Sequence, residues 1–182
     1  MKKFFYLISF LFFVSHTFAQ KEPAQQQPEP PKAPLTAFDY NRRAQSRIEF
    51  GDFNGAIQDY TNAIALTPSD VKLYANRGLA KVEMKDDKGA LYDYDMAIAM
   101  DSTFVRALNC RGTLFLDEKR YKEAFNDFDK ALKQQPNYAN AIINRGLARQ
   151  ALNDSIGACN DWNLASTFGK SRANELLKRY CK

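Results

Sequence analysis

Small and apolar residues recur along the chain at a fixed interval of 34 residues. Two sets of four alanines keep this interval: Ala56, Ala90, Ala124 and Ala158, and Ala63, Ala97, Ala131 and Ala165. Within the first unit, the apolar residues Ala56, Tyr60 and Ala63 are separated by four and three positions, which is the spacing of one face of an α-helix. A fixed period of this length predicts an array of similar helical units in one domain.

Each unit also pairs a small residue in its first half with an aromatic residue in its second half. The small residues are Ala44, Gly78, Gly112 and Gly146, and the aromatic residues are Tyr60, Tyr94, Phe128 and Trp162. In the first unit Gly51-Asp52 marks a turn between the halves, and Pro68 ends the second half. The pattern predicts two antiparallel helices per unit, which approach at the small residue and enclose the aromatic ring.

This pattern resembles the tetratricopeptide repeat (TPR), whose units are helix–turn–helix pairs of about 34 residues. The third unit shows the family's positions most fully: Gly112, Phe115, Tyr121, Ala124, Phe128, Ala131 and Pro136. The resemblance implies an all-α, right-handed solenoid of four units at residues 37–70, 71–104, 105–138 and 139–172. Two kinds of position depart from the family pattern: Tyr40, Tyr74, Leu108 and Ile142 replace the usual leading tryptophan, and Ser102 and Lys170 replace proline.

A repeat array needs an element that covers the apolar face of its last unit. Residues 173–182 are predicted to form this capping helix, because Leu176, Leu177 and Tyr180 can pack on the last unit while Glu175 and Lys178 face water.

The first 36 residues have a different composition. Residues 1–19 begin with Lys2 and Lys3, continue with an apolar run and end with small residues before Gln20, which is typical of a secretory signal peptide. The alternative, an uncleaved membrane anchor, would need a longer apolar run. Residues 20–36 are rich in Pro and Gln and are predicted to be a disordered linker. We therefore expect an exported protein, periplasmic or secreted, that is cleaved near Ala19 and has no transmembrane segment in its mature form.

Charge and residue types argue against several classes of function. The formal net charge of +5 is small and its charges are interspersed, so no nucleic-acid partner is expected. The single histidine, His16, lies in the predicted signal peptide, which leaves the mature chain without a histidine for catalysis or zinc binding. The chain contains no glycine-rich phosphate-binding loop. We predict no catalytic site, no cofactor and no metal.

An arginine and an aspartate also recur in every unit. They are Arg43, Arg77, Arg111 and Arg145, and Asp59, Asp93, Asp127 and Asp161. An arginine fork and a carboxylate at one constant offset predict a ladder of ion pairs between the two helices of each unit. Direct contact of these residues with a ligand is the alternative.

Two of the three cysteines are predicted to form a disulfide. Cys159 lies 11 residues before Lys170 and Cys181 lies 11 residues after it, so the two face each other if the chain turns at Lys170. An oxidising compartment favours the bond over two reduced thiols. Cys110 remains, either as a half-buried bystander or as a reactive thiol.

The resemblance also implies a binding surface, because first helices of successive TPR units line a concave groove. The matching residues are Asn41, Gln45, Lys72, Asn76, Leu79, Arg106, Asn109, Thr113, Asn140, Asn144 and Leu147. Asparagine recurs among them and suits a peptide backbone, since it offers both a donor and an acceptor. At the places of the carboxylate clamp of some TPR co-chaperones the chain has Asn41, Gln45, Asn76, Arg106 and Cys110, and only Asn76 and Arg106 fit.

Two functions remain open at this point. The first is a protein- or peptide-binding adaptor or scaffold that uses the groove. The second is a structural or self-associating component of a larger envelope complex, in which the groove holds no peptide.

Overall fold

A computed structural model describes residues 35–181, and this range contains nine α-helices and no β-strand. The helices are α1 (Ala37–Glu49), α2 (Phe53–Leu66), α3 (Val71–Glu83), α4 (Asp87–Met100), α5 (Val105–Asp117), α6 (Tyr121–Gln134), α7 (Ala139–Ala151), α8 (Ser155–Thr167) and α9 (Ser171–Tyr180). The predicted signal peptide, His16 and nearly all of the predicted linker lie outside the described residues.

Helices α1 to α8 pack as successive antiparallel pairs, and each pair packs on the next. In addition, α3 contacts α5 and α5 contacts α7, so the odd-numbered helices lie side by side along the array. This arrangement is a TPR-like α-solenoid, and the fold class predicted from the sequence is confirmed. The odd-numbered helices line its inner, concave face, and the even-numbered helices form its outer layer.

The repeated small residues are buried where the sequence pattern required close approach. A β-carbon added to Gly78 would stand 2.7 Å from the ring of Tyr94, and one added to Gly112 would stand 2.8 Å from the ring of Phe128. Both distances are too short for a real contact. The absence of a side chain in the odd-numbered helix therefore makes room for the aromatic ring of its even-numbered partner, and this contact fixes the spacing of the pair.

The beginnings of the helices differ in one respect that bears on the inner face. Side chains of Thr36, Asp52, Asp70, Asp86 and Asp154 cap α1, α2, α3, α4 and α8, whereas α5, α6, α7 and α9 begin without a side-chain cap. Their first turns therefore keep unpaired N–H groups and the positive end of the helix dipole.

Helix α9 covers the last pair, as expected of a capping helix. Leu176 and Leu177 pack against the core of the last units, and the ring centroids of Tyr180 and Trp162 are 5.7 Å apart. Cys181 and Cys159 form a disulfide with their α-carbons 5.9 Å apart, which confirms the pairing predicted from their distances to Lys170. The bond ties the end of α9 to α8.

Candidate functional site

The predicted groove residues all lie on the odd-numbered helices of the inner face, but they differ in exposure. Four are exposed: Gln45, Lys72, Arg106 and Asn140. Five are half-buried: Asn41, Leu79, Thr113, Asn144 and Leu147. The remaining two, Asn76 and Asn109, are buried, with 8% and 9% of their surface exposed. The structure therefore brings these residues to one face, and whether that face binds a ligand stays a prediction.

The asparagines of the groove occupy two adjacent repeat positions rather than one. Asn41 and Asn109 share the fifth position of their helices, whereas Asn76 and Asn144 share the sixth. Asn144 Nδ2 donates to Thr113 Oγ1 at 3.3 Å and so links α7 to α5. The buried Oδ1 atoms of Asn41 and Asn109 accept no hydrogen bond from any described residue. Unused hydrogen-bonding capacity in a buried amide is costly and indicates a place for a donor from outside.

The inner face has an excess of positive charge. The only acidic residues of α3 and α5 are their last residues, Glu83 and Asp117, and α7 has none. Arg106, the second residue of α5, is exposed and forms no salt bridge with any residue in the described range. Every other arginine of α1, α3, α5 and α7 forms at least one: Arg42, Arg43, Arg47, Arg77, Arg111, Arg145 and Arg149. Arg106 is therefore free to attract a carboxylate from a partner.

The ladder of arginines and aspartates holds the inner helices in register. Arg77 donates from Nε to Asp93 Oδ2 at 2.9 Å and from Nη2 to Asp93 Oδ1 at 2.6 Å. The same bidentate contact joins Arg43 to Asp59, Arg111 to Asp127 and Arg145 to Asp161. The aspartates are almost completely buried. The ion pairs predicted from the sequence are thus present. Because both oxygens of each aspartate accept from the paired arginine, these carboxylates do not face a ligand.

A second cation also contacts three of these aspartates, and sequence reasoning missed it. Arg47, Lys81 and Arg149 each lie four residues after the ladder arginine and form a salt bridge with Asp59, Asp93 and Asp161 respectively. Phe115 takes this place in the third unit. The signal was available, because a cation recurs at this position in three of the four units.

The ladder also connects neighbouring pairs, which the sequence analysis did not anticipate. Arg111 Nη1 donates to Asp95 of the preceding pair at 2.7 Å, and Arg145 Nη1 donates to Asp129 at 3.1 Å. Arg77 makes the corresponding bond to Thr61 Oγ1 at 3.1 Å. Each of these arginines therefore bridges three helices and fixes how one unit sits on the next.

Cys110 lies on the inner face beside Tyr94, and its thiol is not activated. Burial raises the pKa of the Cys110 thiol, and the nearby Arg106 offsets only part of this effect. Because the thiolate is the reactive form, a raised pKa makes the thiol a poor nucleophile at neutral pH. This favours the bystander interpretation over a reactive thiol.

We expect iodoacetamide at pH 7.5 to alkylate Cys110 at least about tenfold more slowly in the folded protein than after unfolding in urea, because burial limits both access and ionisation. Mass spectrometry of the alkylated peptide measures the rate. Cys159 and Cys181 serve as the internal control, since they react only after reduction. Equal rates in the folded and unfolded protein would show that folding neither shields the thiol nor raises its pKa.

Two other kinds of feature are absent from residues 35–181. No group of three or more acidic, histidine or cysteine side chains is arranged to hold a metal ion within this range. Likewise, none of the described helices has the length and apolar character needed to cross a membrane.

Comparisons with known proteins agree with the fold. A family model described as TPR repeat matches residues 45–85, and a second one described as tetratricopeptide repeat matches residues 105–138. No curated protein matches the chain. The chain therefore contains tetratricopeptide repeats.

Several solved structures are similar to this chain over most of the solenoid. The first TPR domain of Spaghetti (RPAP3), bound to the Hsp90 peptide SRMEEVD, is 25% identical, with a TM-score of 0.62 over 64% of this chain and 93% of that one. The TPR domain of Arabidopsis OM64 is 29% identical, with a TM-score of 0.60 over 63% of this chain and 94% of that one. PilF of Pseudomonas aeruginosa is 20% identical, with a TM-score of 0.70 over 79% of this chain and 68% of that one, and this likeness concerns the fold alone.

Proposed function

We propose that the protein is a non-catalytic adaptor or scaffold that holds an extended segment of a partner protein in the concave face of α1, α3, α5 and α7. The proposal rests on one observation, the exposure of Arg106 without an ion-pair partner among the described residues. Arg106 lies on a helix face that lacks carboxylates over most of its length. The peptide in the Spaghetti structure supports the same use of a TPR domain, since its sequence SRMEEVD is acidic.

The proposed mode of binding differs from a full carboxylate clamp. Arg106 and Asn76 occupy clamp positions, but Asn76 is 8% exposed and the position of the last clamp cation is taken by Cys110. We infer that the groove attracts acidic segments through Lys72 and Arg106 and bonds to their backbone through its amides.

Capture of a partner from the native envelope fraction tests this function. We expect the purified protein to retain a partner that the double variant Lys72→Glu/Arg106→Glu loses, because the two substitutions reverse the charge of the inner face. Lys88→Glu/Lys122→Glu is the matched control, since both lysines are exposed on outer helices and the change in net charge is the same. Two results would contradict binding in the groove and favour the structural alternative. In the first, only the control variant loses the partner; in the second, the protein retains only further copies of this chain.

We also propose that the adaptor works in an exported compartment. The proposal rests on the signal-like pattern of residues 1–19, and the Cys159–Cys181 disulfide supports it because such bonds persist in oxidising surroundings. Mass spectrometry of the protein from the envelope fraction should find Gln20 at the amino terminus. A chain that still begins at Met1 and is recovered from the cytoplasmic fraction would contradict export.

A further inference from the structure

Two adjoining cavities lie where the inner face meets the capping helix. The first has a volume of about 290 Å³ and lies between Asn109 of α5, Asn140 and Asn144 of α7, and the start of α9 at Lys170 to Arg172. The second has a volume of about 280 Å³ and is lined by Tyr138 and Phe168. Both cavities include Asn140 and Lys170, so they share one wall. Each volume lies at the lower limit of small-molecule sites and suits a single residue of a peptide.

The lining of the first cavity is positively charged, which favours binding of an anion. Arg172 and Lys170 line it, both are exposed, and neither forms a salt bridge with a described residue. Helix α9 begins at this wall without a side-chain cap, so the positive end of its dipole lies at the cavity beside the two cations. The N–H group of Ala173 in this first turn donates to the Lys170 carbonyl at 3.0 Å. Helix α7 begins at the shared wall and is also uncapped.

A buried amide supplies independent evidence for a ligand in the first cavity. Asn109 lines the cavity and is 9% exposed, yet its buried Oδ1 accepts no hydrogen bond from any described residue. The amide can present its oxygen or its amino group by rotation about its last torsion, so it can bond to either polar group of a peptide backbone. Lys170, Arg172 and the first turn of α9 provide the charge for a carboxylate, and Asn109 provides the contact for the backbone that carries it.

The second cavity has a different character. Phe168 is 44% exposed, and Tyr138, in the same cavity wall, is half-buried. Exposed aromatic surface next to a charged pocket suits an apolar side chain that follows or precedes an acidic one in the ligand.

We propose that these cavities bind an acidic residue and a neighbouring apolar residue of an extended partner segment. The carboxylate of the Asp or Glu side chain sits against Lys170, Arg172 and the start of α9, and the apolar side chain sits on Phe168 and Tyr138. This inference rests on the proposed adaptor function, and it places the specificity for the ligand at the junction of the last unit and the cap.

A titration followed by two-dimensional ¹⁵N–¹H NMR tests the inference with the capped peptide acetyl-Gly-Glu-Leu-Gly-amide. Both termini are blocked, so the only carboxylate is the side chain of Glu. We expect this peptide to cause chemical-shift changes at Asn140, Ser171 and Arg172. The capped peptide in which Gln replaces Glu should bind at least about tenfold more weakly, because the charge-assisted hydrogen bonds are lost. A free C-terminal carboxylate, tested with acetyl-Gly-Gln-Leu-Gly carrying an unblocked terminus, should not restore the affinity.

Two double variants complete the test. Lys170→Ala/Arg172→Ala should weaken binding of the Glu peptide at least about tenfold. The control Lys130→Ala/Lys178→Ala removes the same charge from exposed sites outside the cavities and should leave binding of this peptide unchanged. The NMR spectrum of each variant also shows whether its fold is retained.

Equal binding of the Glu and Gln peptides, or shifts confined to other helices, would overturn the inference. Such a failure would leave the adaptor function standing if Lys72→Glu/Arg106→Glu still loses the native partner, because Lys170 and Arg172 are unchanged in that experiment.

Discussion

We expect Asp93→Ala to lower the free energy of unfolding by about 3–5 kcal/mol, the range found when one member of a buried ion pair is removed. Asp93 is completely buried, and it accepts bonds from Arg77 at 2.6 and 2.9 Å and from Lys81 Nζ at 2.8 Å. Alanine would leave both cations without their carboxylate, with only 13% and 16% of their side chains exposed to water. Urea unfolding followed by circular dichroism measures the change as a lower midpoint.

The control for this prediction is Asp95→Ala, two residues further along α4. Asp95 bonds to Arg111 at 2.7 Å, but 59% of its side chain is exposed, so its loss should lower the free energy of unfolding by no more than about 1 kcal/mol. Equal midpoints for Asp93→Ala and the wild type would show that the ladder does not stabilise the fold. A large loss is also expected for Asp127→Ala, which would leave Arg111 with Asp95 alone.

The second large effect is expected at the junction of the last unit and the cap. Trp162 is completely buried, lies over Gly146, stacks near Tyr180 and donates from Nε1 to the carbonyl of Ile143 at 3.2 Å. Trp162→Ala removes this packing and leaves a cavity, which should lower the free energy of unfolding by about 3–5 kcal/mol. Urea unfolding again measures the effect.

Tyr92→Ala provides the comparison for Trp162, because Tyr92 is an aromatic residue of an even-numbered helix with 59% of its surface exposed. Its substitution should change the free energy of unfolding by no more than about 0.5 kcal/mol. A Trp162→Ala protein that unfolds at the wild-type midpoint would contradict the packing of the last pair described above.

The sequence was sufficient to predict the all-α fold and the internal pairing of its units. The small and aromatic positions repeat because each unit must solve the same packing problem, as the contact of Gly112 with the ring of Phe128 shows. The Cys159–Cys181 bond was predictable for a similar reason, since two residues at equal distances from a helical turn face each other.

Other features depend on packing that a periodic pattern does not encode. The bonds from Arg111 to Asp95 and from Arg145 to Asp129 join successive pairs, and their formation depends on how one pair is placed on the next. The burial of Asn76 and Asn109 was not predicted either, because a groove assignment taken from resemblance gives the face of a residue but not its depth. The cavities at the cap depend on the position of α9, which lies outside the four repeats.

The concave face is the central claim, and site-specific photo-crosslinking tests it most directly. A benzoylphenylalanine would replace Gln45 or Thr113 on the inner face in two variants, and Lys122 on the outer layer in a third. After irradiation in the native envelope fraction, we expect both inner-face variants to form a covalent adduct with the same second protein, and the outer variant to form none. Adducts only from the Lys122 position, or adducts that contain only copies of this chain, would contradict the claim that the inner face binds a partner.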